Sequence, residues 1–401
     1  MNANKLPITH SAHFWIILSL IAYLVLPSHA LDYGLFDSTA DEFYDAMGWS
    51  SFNITVFWFL PVILYGLLPW LKLPANTQAK AELYLLAIAT LFTFISASVL
   101  KISMGYSVIV LLIGFTALAT LSLAKLKIMQ GDKFIIASLL CIILLIFFFI
   151  VYPTLAIFVS MFYDGDTFAP QQVMRILTQS YIVRVISNSL FLSGFVGIVS
   201  TVFGLAFALY TTRIARRTAF IGKIFSILPI VTPPFVVGLG VTLMLGRSGY
   251  VTEFLSTNFG FTNHNWLYGF NGIAIAQILA FAPISFMILD GALKSVHPSI
   301  EEASYTLRAN RYQTFYNIIF PLLRPALANS FLIVFIQSLA DFSNPLVLGG
   351  SFDVIATQIY FYIAGSQLDY ASASTLGSML LIFSLAIFII QYIYKAFAIT
   401  F

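Results

Sequence analysis

The chain has 401 residues, 60% of them hydrophobic and 16% aromatic, and only 9% carry a charge, against about 25% in soluble domains. With a mean hydropathy of +0.94 and recurrent apolar stretches of roughly 20 residues, the length that crosses a hydrocarbon core of about 30 Å, this composition excludes a soluble globular protein and defines an integral membrane protein. The single cysteine, Cys141, sits inside an apolar run, which excludes a disulfide framework, a cysteine zinc site and a dithiol redox motif.

Ten spans are predicted, at 14–28, 53–71, 83–100, 105–124, 134–162, 188–211, 224–246, 270–291, 326–346 and 374–394. No alternating pattern of about ten residues marks a β-barrel, so the fold class is all-α, a polytopic transmembrane helical bundle. Basic residues resist translocation. With the N-terminus inside, Lys5, Lys72, Lys80, Lys125, Lys127, Lys133, Arg213, Arg216, Arg217, Lys223, Lys294, Arg308, Arg311, Arg324 and Lys395 fall in the cytoplasm, while Lys101, Arg175, Arg184 and Arg247 fall outside. Both termini are then cytoplasmic. The net charge of +3 reflects this topology and contact with membrane lipid, and calls for no nucleic acid. Lys5, the apolar run Phe14 to Leu26 and the PSHA that follows also fit a cleavable signal peptide, and either reading leaves the next loop outside.

The first five spans, within 1–175, have short loops and few polar residues, whereas 176–396 holds the broken helices and nearly every motif. The stretch Tyr163 to Ser189 between them is long and polar enough for a helix along the outer face. The nearest approach to a phosphate-binding loop, Gly222-Lys223-Ile224, lacks both the upstream glycines and the hydroxyl. His10, His13, His29, His264 and His297 have no ligand spacing, so no metal site is expected, and neither are a cofactor nor a catalytic constellation.

Polar residues inside membrane spans are costly, and therefore point to function. Asp341, in SLADFSNPLVLGG, is flanked by Gln337, Ser338, Ser343, Asn344 and Pro345, a group that would open the ninth span toward a polar passage or simply end it at the interface. Asp290 closes the eighth span, where a carboxylate is cheap. In the seventh, Thr232-Pro233-Pro234 with Gly238 and Gly240 removes backbone donors and permits close helix approach. Together with Gln277 and Pro283 of the eighth, these residues mark spans seven to nine as the wall of a pathway, with Pro233, Pro234, Gln277, Gln337, Asp341 and Asn344 as its candidate residues.

The densest charge lies in EEASYTLRANRYQTFYNIIFPLLRP, Glu301 to Pro325. Ser299 and Glu302 have the spacing of a capping box and start one short helix, and Asn310 and Gln313 repeat the device for a second, which Pro321 is expected to stop. Acidic residues in the first turn and Arg308 in the last suit the helix dipole. Two short helices in a basic loop, each with an apolar stripe, fit either a docking element for a protein partner or a hairpin lying on lipid phosphates.

This run, bounded at 298–325, resembles the EAA loop in permease subunits of binding-protein-dependent ABC importers, whose pattern is EAA, three residues, Gly, nine residues and I-x-L-P. Glu302, Ala303 and Ser304 match its start, Ile318 and Pro321 its end, and Arg308 stands at its glycine. The details PPFVVGLGVTLMLGRSGY and ADFSNPLVLGG resemble the ferric iron permeases of this group, and the subgroup is similar to permeases for hexose phosphates and phosphonates. The resemblance covers roughly residues 180–395 and implies a type I ABC importer permease core in a bacterial inner membrane. It further implies a cytoplasmic ATPase dimer that binds ATP and magnesium, a periplasmic substrate-binding protein, and a second permease half or second copy. Ferric-type permeases carry two such units, so the chain looks like the N-terminal half of a fused permease or a truncated product of one. It implies ATPase docking by Glu301, Glu302, Ala303, Arg308, Arg311 and Pro321, with Asn310 expected to absorb the turn that the family's glycine makes. The rival from another class is an ion-driven carrier or channel with Asp341 as its site.

Overall fold

The computed structural model describes residues 10–399 apart from 33, 51–53, 100, 101, 166, 215–219, 221–223, 225–227, 229–231, 261, 263, 264, 366 and 367. Lys5, Lys101, Arg216, Arg217, Lys223, His264 and most of 224–231 in the seventh predicted span lie outside the described residues, and Lys395 is described in its backbone alone. The chain is predominantly helical and divides into two compact units, 1–153 and 154–401. Among the described residues, eight helices are long and apolar enough to cross a membrane.

The first unit holds α1 (His10–Val25), α2 (Leu60–Leu67), α3 (Ala75–Val99), α4 (Tyr106–Lys125) and α5 (Lys133–Ile146). Its core gathers Trp58, Val62, Tyr65, Leu86, Leu111, Phe115 and Leu118, all fully buried. The predicted span at 53–71 is not one helix: a tight turn at Ile54–Trp58, α2 and a second tight turn at Leu68–Leu71 share it. Pro61 and Pro69 each remove a donor from the ladder, which explains the breaks. The span predicted at 134–162 is helical from 133 to 160, through a wide π turn at Phe147–Val151 just before Pro153.

A buried carboxylate joins three of these helices. Glu82 on α3 has no exposed surface. Its oxygens accept from Gln78 Nε2 at 2.9 Å, Ser122 Oγ at 2.6 Å, Tyr65 Oη at 3.3 Å and, twice, Lys125 Nζ at 2.8 Å. A charge removed from water persists only with this kind of saturation.

In the second unit the end of the 133–160 helix, to Ser160, is followed by a two-stranded turn, β1 (Tyr163–Asp164) against β2 (Thr167–Phe168), and by a short helix at Gln171–Leu177. Thereafter come α6 (Ser180–Leu209), α7 (Pro234–Leu245), α8 (Phe270–Ser295), α9 (Pro298–Thr306), α10 (Arg311–Thr314), α11 (Phe320–Ala340), α12 (Ser343–Leu348) and α13 (Tyr370–Ile399). The sixth span thus begins at Ser180, earlier than the predicted 188, and the interfacial helix shrinks to Gln171–Leu177. Leu192 and Val196 of α6, Ile273 and Ala276 of α8 and Val334 of α11 form the core of the bundle. Near its end α6 closes on α8 at Gly204, where a Cβ would stand 2.5 Å from the Cβ of Ser285. Below that contact Ala208, Phe286, Leu289, Leu293, Ile319 and Leu323 form a second buried cluster, which carries the hairpin described next.

Candidate functional site

The hairpin begins two residues before the serine expected to cap it. His297 is the N-cap, its Nδ1 accepting from the amide of Ser299 at 3.3 Å, and Pro298 occupies the first helical position. Proline is pre-set for that position because its φ is already helical and its missing N–H would have no partner there. Ser299 therefore lies inside the first turn and the Ser299–Glu302 box does not form.

α9 ends in a Schellman motif. The amide of Ala309 donates to the carbonyl of Ser304 at 3.1 Å and that of Arg308 to Tyr305 at 3.0 Å. This closure needs a left-handed residue, and Arg308 supplies it with φ +63°. The expectation that Asn310 absorbs the turn is corrected, because Asn310 is extended at φ −81° and serves wholly as a cap. Its capping box is complete: Asn310 Oδ1 accepts from the Gln313 amide at 2.8 Å, and Gln313 Oε1 accepts from the Asn310 amide at 2.9 Å. Between the helices, the buried Ser304 and Thr314 hydroxyls share a hydrogen bond of 2.8 Å. Ser304, which replaces an alanine of the EAA pattern, thereby locks α9 to α10.

Pro321 does not stop the second helix. α10 passes through a π turn at Phe315–Ile319, where the amide of Phe320 reaches back five residues to Phe315, and continues as α11. The wide turn lies just ahead of the proline, as it does ahead of Pro153, and a turn with i→i+5 bonding accommodates the missing N–H and the ring. Pro321 is half-buried in this continuous helix.

Of the residues assigned to docking, Glu302, Ala303, Arg308 and Arg311 are all exposed on the hairpin. They stand among apolar side chains that this chain leaves uncovered, with Leu307 83% and Tyr312 69% exposed and Tyr305 and Tyr316 also in the open. Glu301 points elsewhere and pairs with Arg213, which follows α6. By the sequence alone Arg213 is one of the cytoplasmic loop charges. Its position at the end of a long apolar run was the available signal.

A second polar group forms where α11 stops. Asp341 follows the last helical residue, and its Oδ1 accepts from the amides of Ser343 and Asn344 at 3.0 and 3.4 Å, starting α12. Its Oδ2 accepts from Asn344 Nδ2 at 2.7 Å and from Gln277 Nε2 of α8 at 2.9 Å. Ser338 Oγ donates to Gln277 Oε1 at 2.7 Å. α7 approaches at Gly238, where a Cβ would lie 2.7 Å from Asn344 Oδ1. Gln277, Asp341 and Asn344 therefore meet, joined by Ser338. Gln337, adjacent to Ser338 on α11, is exposed and stands outside this group. Pro233 and Pro234 are exposed and begin α7, Pro233 as its N-cap, so they open this helix. Asp290 is buried beside Lys294, its ion-pair partner one turn on. Among the described residues, no three His, Cys, Asp or Glu side chains converge as a metal site would require.

Comparison with known proteins addresses this architecture directly. Residues 200–398 match the family described as binding-protein-dependent transport system inner membrane component. Over 391 residues, 98% of the chain, the sequence is 83% identical to the ferric transport system permease protein FbpB of Actinobacillus pleuropneumoniae, of which it covers 57%. The chain thus spans little more than half the length of that relative. It is 30% identical over 196 residues, 47% of the chain, to a probable sulfate transport system permease protein cysT of Prototheca wickerhamii, covering 75% of it. Among solved structures, a bacterial ABC transporter involved in the import of the acidic polysaccharide alginate shares the fold, with a TM-score of 0.58 and 20% identity across 67% of this chain and 96% of the other. The matched segment contains the capped hairpin, the interrupted α11–α12 and the helices that carry them, and the chain belongs to the family of binding-protein-dependent transport system inner membrane components.

Proposed function

We propose that the chain is the membrane-embedded translocation subunit of a bacterial importer for ferric iron. The observation that carries this reading is the hairpin: two capped helices anchored in the core at Ile319 and Leu323 present an uncovered face of Glu302, Leu307, Arg311 and Tyr312. Apolar side chains rimmed by charge are what a protein partner buries. That partner, on this reading, is a cytoplasmic ATPase dimer, which binds the ATP and magnesium and supplies the work, while this chain carries out no chemistry. The termini and the hairpin face the cytoplasm. A periplasmic binding protein selects the cargo and delivers it to the opposite side, and a second permease half or second copy completes the passage. Ferric iron as the cargo is supported by the 83% identity to a ferric transport permease.

The Asp341 group belongs to the moving wall on this reading. Its carboxylate accepts four hydrogen bonds, so it holds α8, α11 and α12 together at a helix break. Helix breaks of this kind are tolerated where they face protein or a cavity. The test is radiolabelled uptake in cells lacking the gene, with ferric iron and hexose phosphate supplied in parallel. Selective loss of iron uptake is expected, and loss of sugar phosphate uptake alone would reassign the cargo. Glu302→Lys is expected to abolish co-purification of the ATPase while membrane insertion is unchanged, and retained co-purification would remove the docking assignment.

A further inference from the structure

The ion pair beneath the hairpin turns Glu301 away from the exposed face that holds Glu302. Arg213 lies in a π turn, Tyr210–Ile214, that closes the long helix α6. Its Nη2 donates to the carbonyl of Leu293 in the last turn of α8 at 3.4 Å and pairs with the Glu301 carboxylate on α9. The two side chains are only 26% and 12% exposed, so the pair is better shielded than a surface salt bridge. Asp290, the acidic side chain of α8 at this level, is already held by Lys294 and by Thr211 Oγ1 at 3.5 Å, which leaves Glu301 as the carboxylate for Arg213. Glu301 and Glu302, successive residues about 100° apart around a helix axis, thus look in different directions, one to Arg213 and one to the outside.

α8 and α11 are joined to the hairpin through the chain itself, at Val296–His297 and through the π turn at Phe315–Ile319. α6 has no such link. Its contacts at this level include Leu205, Ala208 and Leu209 in the apolar cluster, and apolar contacts are non-directional. The Arg213 guanidinium adds to these an ion pair with Glu301 and one hydrogen bond to the Leu293 carbonyl, so a single side chain ties the end of α6 to both α8 and α9. We infer that Arg213 is a positioning residue that couples displacement of the hairpin to the end of α6 through Glu301, so that Glu302 receives the partner's motion and Glu301 passes it inward. The inference rests on the transporter reading for what drives the hairpin, and on geometry alone for the tie.

Two measurements separate these levels. In the full-length protein without ATPase, amide exchange across 300–309 is expected to rise about fivefold in Arg213→Ala, the effect of losing roughly 1 kcal/mol of local closure. Unchanged exchange overturns the tie, whether or not an ATPase binds. In the assembled transporter in proteoliposomes, Arg213→Glu is expected to keep ATPase co-purification and hydrolysis and to lower cargo uptake per ATP by about tenfold, within the range of measured coupling between sites. The exchanged pair, Arg213→Glu with Glu301→Arg, is expected to recover most of that loss, which a purely structural defect would not do. Wild-type uptake per ATP in Arg213→Glu, loss of ATPase binding in that variant, or no recovery in a folded double variant overturns the inference. If the unsubstituted protein retains no ATPase, the transporter reading fails and the exchange measurement still decides the tie.

Discussion

Replacing Arg308 with glycine tests whether the hairpin holds its turn against backbone strain. Arg308 closes α9 at φ +63°, a region in which a Cβ-bearing residue pays about 1–2 kcal/mol and glycine does not. Glycine loses more freedom on ordering, roughly 0.5–1 kcal/mol, so the net gain is expected at about 0.75 kcal/mol from the midpoints and about 1.5 kcal/mol at most. The bonds that report it are Ala309 to Ser304 at 3.1 Å and Arg308 to Tyr305 at 3.0 Å, since both open when the turn opens. A gain of about 1 kcal/mol slows their exchange about fivefold. Arg308→Gly should therefore protect the amides of 308 and 309, whereas Arg308→Ala, which removes the same exposed side chain and keeps the strain, should not. Equal exchange in both variants would refute the reasoning, because it would mean that the left-handed turn stores no strain. ATPase affinity separates the second question: if the guanidinium contacts the partner, both variants bind more weakly.

Lys125→Met leaves the buried Glu82 carboxylate without its cation, and breaking such a pair from one side costs about 3 kcal/mol; a lowered thermal midpoint for the first unit is expected, and an unchanged one would mean that Ser122, Gln78 and Tyr65 suffice. Gly238→Ala places a methyl 2.7 Å from Asn344 Oδ1, an overpacking worth about 1–3 kcal/mol; uptake should fall with ATPase binding intact, and normal uptake would show that α7 and α12 can separate freely. Asn310→Ala removes the capping box, at about 1 kcal/mol, and should raise exchange across 311–314; Ser304→Ala should act in the same direction through the lost bond to Thr314.

The parts of the hairpin that could be read ahead of the structure are those governed by neighbours a few residues away. Asn310 and Gln313 cap α10 as their spacing demands, because both hydrogen bonds close within one turn. The first box failed for an equally local reason: Pro298 displaces the cap to His297, a competition the serine spacing alone does not show. Pro321 misled because a proline rule presumes i→i+4 bonding, and the π turn before it changes the bonding. The polar group was half legible. Gln277, Asp341 and Asn344 could each be named as costly in a membrane, but only folding shows that they share hydrogen bonds and that Gln337, beside Ser338, does not.

By itself the sequence determined the solvent, the class of fold and the cap of the hairpin's second helix. Those follow from composition, from runs long enough to cross a bilayer and from caps set by adjacent residues, all short-range quantities. The tertiary structure decided which of two adjacent glutamates faces outward, which arginine receives the other, and where α11 ends against α12. Each of these depends on residues far apart in the chain, as with Arg213 and Glu301 or Gln277 and Asp341. The apolar positions that bring them together dictate burial, not partners, so a pattern read along one strand of sequence leaves such meetings undetermined until the helices pack.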